Sequence, residues 1–398
     1  MDEKNLQLDS LVIHGGQAPD ANTGAVMPPI SLASTYAQAS PGEHQGYVYA
    51  RGHNPTRQAL ERCIGRLESS GLDDDPTYGG FAFASGMAAT STVLDMLDAG
   101  SHIVAMDDMY GGTYRLMTKV RERSQGLRIA YVDLADPAAL TDAITDETRM
   151  IWVESPTNPQ LKLVDLAAVA TVARDRGILT VCDNTFATPL LQRPLELGID
   201  IVLHSATKYL GGHSDVIAGL LVTNRQDLAD QIRFVQNSAG GILGPLGAYM
   251  TLRGIKTLAV RMRQHCDSAA RIATYLEGHP KIRRVAYPGL ASHPQHDLAQ
   301  RQMQLDGGPC GGGMITVWLE GDLASSRRFL ESVEVFTLAE SLGGVESLIE
   351  HPAIMTHASV PPETRQQLGI DDTLVRISVG IENAGDLERD LEQALARV

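Results

Sequence analysis

The residues best suited to covalent chemistry lie in HSATKYLGGHSD, residues 204–215. Lys208 stands just after an apolar run ending near His204, with the hydroxyls of Ser205 and Thr207 before it. Loops at the carboxyl ends of strands in α/β sheets are the usual place for ligands. A lysine there can form a Schiff base with a carbonyl, and neighbouring hydroxyls can anchor a phosphate. Taken alone, S-x-T-K equally suits a solvated surface turn.

Three further segments change the weight of that lysine. Asp183, in TVCDNTFATP, ends an apolar run 25 residues earlier. A carboxylate at a buried strand end needs a cationic partner, or it costs several kcal/mol. A protonated pyridine nitrogen is one such partner, and the pairing keeps the ring an electron sink; capping the following turn is the plainer alternative. ASGMAAT at 84–90 reads as strand, glycine, helix. Backbone N–H groups at a helix start, with Gly86 permitting close approach, make an anion site, although Gly86 equally suits a simple turn. Tyr110 in MDDMYGGTYRL follows another strand, where a ring can stack on a planar cofactor and a phenol can move a proton; a core tyrosine also fits. The segment around Gly86 is not G-x-G-x-x-G, and no G-x-x-x-x-G-K-[ST] occurs. Nicotinamide and nucleoside triphosphate chemistries lose their main support.

Positioning these groups requires an α/β scaffold. Between about residues 60 and 255, short apolar runs alternate with helix-like stretches such as Leu166–Arg176. The expected strands are Phe81–Ala84, His102–Met106, Arg128–Val132, Met150–Val153, Ile178–Cys182, Ile201–His204 and Val216–Val222. Doubly buried strands joined by helices imply a mostly parallel sheet in a large domain, 61–255. Beyond 256, a long helix (Leu258–Leu276) and separate strands (Met314–Leu319, Leu374–Val379) suggest a smaller α+β C-terminal domain, 256–398. Residues 1–60, rich in Gly, Pro, Ser and Thr, read as an extended N-terminal arm. Its tyrosines 36, 47 and 49 argue against a solvated tail. The run GGPCGGG at 307–313 is expected to be a flexible loop, and the stretch 69–80 a surface loop.

Composition excludes other classes. The net charge of -15 argues against nucleic acid or an anionic membrane surface as a partner. No apolar run reaches the roughly 18 residues a membrane helix needs, and MDEKNLQLDSLVIHGG lacks the pattern of a signal peptide. The four cysteines are widely spaced, with no metal-like pair. Cytoplasm and no metal are the expectations.

Four strand ends thus contribute an anion nest, an aromatic, a carboxylate and a lysine in chain order, which is the equipment for pyridoxal 5'-phosphate (PLP). The segments YARGHNPTR, ASGMAA, ESPTNP, DNTFATP, HSATKYLGGHSD, TLAESLGG, IMTHAS and RISVGIE resemble those of the Cys/Met metabolism PLP-dependent family, the cystathionine γ-lyase and γ-synthase group. The resemblance runs from about residue 10 to 395 and implies the fold-type-I PLP-dependent transferase fold. It implies that Lys208 carries the cofactor as an imine and shuttles protons, that Asp183 pairs with the pyridine nitrogen, and that Tyr110 stacks on the ring. Gly86, Met87, Ser205 and Thr207 would hold the phosphate. Tyr49 and Arg51 would reach a neighbouring subunit's phosphate site, in a homotetramer built from two active-site-sharing dimers. Asn158 and Arg376 would bind the α-carboxylate of an amino-acid substrate, for which a bidentate guanidinium is suited. On the residues alone, Arg376 in a strand reads rather as a structural ion pair. Ser341 would orient Lys208 and the carboxylate, and Glu340 would meet the distal ammonium of cystathionine.

The implied reaction is γ-elimination. Cα and then Cβ lose protons, the γ-thiolate leaves, and cystathionine yields cysteine, 2-oxobutanoate and ammonia, with cysteine desulfhydration to hydrogen sulfide as a side activity. Gly112 stands where methionine γ-lyases carry a cysteine, which disfavours that activity. Cystathionine β-lyases carry an aromatic-containing segment in place of TLAESLGG. IMTHASV and SHPQH at 292–296 favour γ-lyase over γ-synthase, the nearest alternative; a catalytically silent scaffold is the alternative outside enzymes. Val48 replaces an acidic residue common in γ-lyases, which implies a broader substrate range.

Overall fold

The computed structural model describes residues 6–358 and 360–398; residues 1–5 of the arm and Ser359 of the IMTHAS segment lie outside the described residues. The chain divides into two compact units, Met1–Asp98 with Arg193–Ala259, and Ala99–Gln192 with Val260–Val398.

In the first unit, β1 (Gly80–Phe83) is followed after a helix and a long excursion by β6 and β7. The second unit supplies the strands between: β2 (His102–Met106), β3 (Arg128–Val132), β4 (Thr148–Glu154) and β5 (Leu179–Asp183). Returning to the first unit, β6 is Ile201–Ser205 and β7 Gly219–Thr223. Pairings are parallel for β2 with β3, β2 with β4 and β4 with β5. They are antiparallel for β1 with β7 and β6 with β7. The parallel strands are apolar on both faces: Ile103, Val104, Ala105, Ile151, Trp152, Val153, Val181 and Cys182 are all fully buried. That is the pattern a sheet covered on both sides requires. Their crossover helices begin where side chains can cap them. Asp136 accepts from Ala138 N ahead of Pro137–Ala143, and Asp165 accepts from Ala168 N ahead of Leu166–Arg174.

The C-terminal part of the second unit carries β8 (Ile282–Ala286), β9 (Gln304–Leu305), β10 (Gly308–Pro309), β11 (Met314–Leu319), β12 (Thr337–Leu338), β13 (Leu348–Glu350) and β14 (Leu374–Ser378). Five of them form a sheet in the order β12-β13-β14-β11-β8. Ile315, Val317 and Ile377 of this sheet share a core with Ala269 and Ile272 of the helix Leu258–Glu277, and with Phe329, Leu387 and Leu391. Fully burying one such large aliphatic side chain contributes about 1.5–3 kcal/mol.

The expected strands are present, with instructive shifts. Val216–Ala218 is not strand, because Thr207 takes its backbone: Thr207 N donates to Ala218 O (3.3 Å), and Ala218 N donates to Thr207 Oγ1 (3.1 Å). The glycine-rich run 307–313 is no free loop. Its first residues pair as β10 with β9, and Gly311, Gly312 and Gly313 are buried. The 69–80 stretch is exposed at Asp73 and Asp74 but buries Asp75 and Thr77, and Asp75 pairs with Arg233. Between Gly15 and Asn54 the arm has only isolated bridges, Thr35 with Tyr49 and Ser40 with Glu43. No helix among the described residues is long and apolar enough to cross a membrane.

Burial keeps His265 neutral. Its Nδ1–H donates to Val379 O (2.7 Å), and desolvation lowers its pKa to about 4 from 6.5. The unfolded chain therefore binds a proton between these values that the folded chain refuses. The stability this group contributes is complete above pH 6.5 and is lost as pH falls towards 4. His265→Gln should lessen the loss of urea stability between about pH 7 and about pH 5 by about 2 kcal/mol; an unchanged pH dependence contradicts this assignment.

Candidate active site

In the first unit, the helix Gly86–Leu94 starts directly after β1. Ser85 caps it, its Oγ accepting from Ala88 N and its carbonyl from Ala89 N (3.1 Å). The N–H groups left over at the helix start are those of Gly86 and Met87. A Cβ at position 86 would lie 3.1 Å from Ser205 Cβ and 3.2 Å from Ser205 Oγ, so a side chain there requires Ser205 to shift. The structure thus brings two free amides and the Ser205 hydroxyl together as an anion cradle. Thr207 and Lys208 follow on the same turn, in which Lys208 N donates to Ser205 O (3.2 Å) and Gly212 N to Lys208 O (2.7 Å). Beneath this turn His204 Nε2 meets Glu68 Oε1 at 2.6 Å, both fully buried. Tyr49 and Arg51 are exposed on the arm. The Arg51 guanidinium sits 5.5 Å from the Tyr49 ring centre, and its Nε donates to Asn237 Oδ1 (3.2 Å).

The second unit gathers most of the remaining residues. Asp183 ends β5 and accepts from Thr185 N (3.1 Å) and Thr185 Oγ1 (2.5 Å). Directly opposite in register, at the end of β4, is Glu154, which sequence reasoning passed over. Glu154 Oε2 accepts from Tyr110 N (3.0 Å) and Oε1 from Asn158 N (2.9 Å), so one buried carboxyl fixes both backbones. Burial, reinforced by the Asp183 charge, pushes the Glu154 carboxyl well above its ordinary pKa. Tyr110 immediately precedes the short helix Gly111–Arg115, makes no side-chain capping bond, and is 38% exposed. The ring lies against Gly112, where a Cβ would come within 2.4 Å of Tyr110 Cε1; any side chain at 112 must displace it. Burial raises the phenol's pKa; Arg115 and Arg376 oppose this and the Glu340 carboxylate adds to it.

Arg376, on β14, joins Asn158 and Ser341. Its Nη1 donates to Asn158 Oδ1 (2.9 Å), and its Nη2 donates to Ser341 O (2.8 Å). It also forms a buried ion pair with Glu350 (2.8 Å), its partner in register on β13. One guanidinium therefore carries both the structural ion pair and the bonds to Asn158 and Ser341. The Nε–H of Arg376 is buried without a hydrogen-bond partner, the kind of orphan donor that an incoming carboxylate satisfies. Ser341 sits at φ +93°, a left-handed conformation rare outside glycine, beside the exposed Glu340. His357, kept neutral by burial with a pKa lowered to about 4, donates from Nε2 to Asn158 O (3.1 Å) and Met109 O (3.3 Å). Glu350 and His357 had no sequence signal beyond their neighbouring motifs, because their partners lie about 26 to 250 residues away in the chain.

A family model described as "Cys/Met metabolism PLP-dependent enzyme" matches residues 9–396. A cystathionine β-lyase of Coxiella burnetii is 57% identical, with 98% of each chain covered. A cystathionine γ-lyase of Bacillus subtilis is 50% identical, covering 99% of this chain and 100% of the relative. The crystal structure of cystathionine γ-lyase from Lactobacillus plantarum complexed with L-serine is similar at TM-score 0.93 and 46% identity, with 99% of each chain covered. Fold and matches define a fold-type-I, PLP-dependent α/β enzyme. The chain belongs to the Cys/Met metabolism PLP-dependent enzyme family.

The residues present fit that cofactor. The cradle at Gly86, Met87 and Ser205 suits a phosphate. Asp183, at the end of β5, is a carboxyl of the kind that would pair with a cationic ring nitrogen. Glu154→Ala should leave the Tyr110 and Asn158 amides unpaired and lower stability by about 2–4 kcal/mol, seen as a lower thermal midpoint; an unchanged midpoint contradicts the bracing role.

Proposed function

We propose that this chain catalyses γ-elimination of L-cystathionine to L-cysteine, 2-oxobutanoate and ammonia, with cysteine desulfhydration as a side activity. The observation that carries the reading is the adjacency of an anion-binding and a cation-binding group. Arg376 is bonded to the carbonyl of Ser341, and Glu340 is the next residue, exposed. Arg376 with Asn158 takes the α-carboxylate, and Glu340 takes the distal ammonium. The lack of an aromatic in TLAESLGG supports γ- over β-elimination. Val48, exposed on the arm, offers no second anion to the distal ammonium, which broadens the range of substrates.

When bound, PLP supplies an electron sink for carbanions formed next to the amino-acid nitrogen. Lys208 would hold it covalently, Asp183 would pair with its ring nitrogen, and Gly86, Met87, Ser205 and Thr207 would hold its phosphate. The Lys208 amine moves protons at the substrate's Cα and Cβ. Tyr110 would stack on the ring, and its raised pKa keeps a proton on the phenol that it would deliver to the leaving sulfur. Ser341 orients the lysine and the substrate carboxylate.

Tyr49 and Arg51 serve the phosphate of a neighbouring subunit in a cytoplasmic homotetramer, a pair of active-site-sharing dimers. Supporting this, Val26 (86%), Leu32 (78%) and Tyr49 (50%) are exposed along one arm, apolar surface suited to burial against a second chain. The division into an arm to residue 60, a PLP domain to 255 and a C-terminal domain follows the same reading.

The β-lyase name of the 57% identical Coxiella relative favours a second reading, cleavage to homocysteine, pyruvate and ammonia. Both are tested by incubating purified holoenzyme with L-cystathionine and separating the oxo acids. The expected product is 2-oxobutanoate with cysteine; pyruvate with homocysteine as the main pair replaces the proposal with β-elimination. Turnover confined to O-succinylhomoserine plus cysteine, forming cystathionine, replaces it with γ-synthase chemistry.

A further inference from the structure

Within the second unit, the backbone at Met109–Tyr110 and at Asn158 is held from two sides. Glu154 accepts from the amides of Tyr110 (3.0 Å) and Asn158 (2.9 Å). On the carbonyl side, one imidazole plays the complementary part. His357 Nε2 lies 3.1 Å from Asn158 O and 3.3 Å from Met109 O. Neither carbonyl can donate, so Nε2 carries the hydrogen, and Nδ1 of the neutral ring is an acceptor. Burial lowers the pKa of His357 to about 4, which keeps the imidazole in that neutral form near pH 7.

The contacts continue from Nδ1 and close on themselves. Nδ1 meets Thr356 Oγ1 (3.0 Å), and the Thr356 hydroxyl lies 2.9 Å from Glu350 Oε1. Glu350 pairs with Arg376 (2.8 Å), and Arg376 Nη1 returns to Asn158 Oδ1 (2.9 Å). In this ring Asn158, His357, Glu350 and Arg376 are each 3% exposed or less. Thr356 links the imidazole to the carboxylate through a single hydroxyl. Its carbonyl is packed against Gly111, where a Cβ would come within 2.6 Å, so the turn that carries the hydroxyl cannot drift towards Tyr110. The ring also leaves one donor over: the Nε–H of Arg376 is buried without a hydrogen-bond partner.

We propose that Thr356 and His357 are positioning residues for α-carboxylate recognition. The hydroxyl and the imidazole fix the angle between the Arg376 guanidinium and the Asn158 amide, so that both meet one carboxylate. This rests on the reading that Arg376 and Asn158 take the α-carboxylate of the substrate. Thr356 acts through Glu350, and His357 acts through the Asn158 backbone. Because His357 also holds Met109 O, the placement of Tyr110 is tied to the same grip.

The test uses holoenzyme and L-alanine, read through the change in cofactor absorbance on binding. L-Alanine has the α-amino and α-carboxylate groups but no leaving group, so its binding is indifferent to which elimination the enzyme performs. Thr356→Val keeps the side-chain shape and removes the hydroxyl. It should weaken L-alanine binding about tenfold, the size of one lost hydrogen bond, and Thr356→Ser should recover it to within about twofold. His357→Phe, which removes both donor and acceptor, should weaken it at least as much with PLP content unchanged. Wild-type affinity in Thr356→Val, or an equal loss in Thr356→Ser, would overturn the proposal. Arg376→Lys separates it from the reading beneath it: undiminished L-alanine binding there removes the carboxylate assignment itself, and the proposal with it.

Discussion

Two carboxyl groups facing each other at buried strand ends work against each other's ionisation. Asp183 and Glu154 occupy that arrangement on β5 and β4, and burial together with the Asp183 charge pushes Glu154 well above its ordinary pKa. Glu154 is turned towards two backbone amides, and Asp183 accepts from Thr185. The same Glu154 fixes Tyr110 and Asn158, so the electrostatics of the ring partner and the placement of the aromatic and amide groups rest on one side chain.

Arg376 extends this organisation. Its ion pair with Glu350 holds the guanidinium on β14, while Asn158 and Ser341 aim it. The strained backbone at Ser341 and the exposed carboxylate of Glu340 follow directly. A substrate with a carboxylate at one end and an ammonium at the other matches the order of charges, and the raised pKa of Tyr110 matches a leaving group that needs a proton.

Much of this was legible in the chain. The strand runs at 102–106, 128–132 and 314–319 were delimited by apolar residues alone. Lys208, Tyr110 and Gly86 each follow a strand and Asp183 ends one, the usual place for ligands in α/β sheets. What escaped depends on partners distant in sequence. Glu154 lies inside ESPTNP, but its role comes from pairing with Asp183 in the sheet. The 307–313 run reads as flexible because its glycines carry no pattern; the hairpin with Gln304–Leu305 and the packing around Tyr287 order it. Val216–Ala218 reads as strand by composition, yet Thr207 draws its backbone into the lysine turn.

The whole account turns on the amine at 208 being the covalent anchor of PLP. Reducing the purified holoenzyme with borohydride and sequencing its peptides by mass tests this most directly. The account requires one pyridoxyl group per chain, on Lys208, with absorbance of the bound cofactor lost in Lys208→Ala. A pyridoxyl group on another lysine, or none in cofactor-saturated protein, would contradict it.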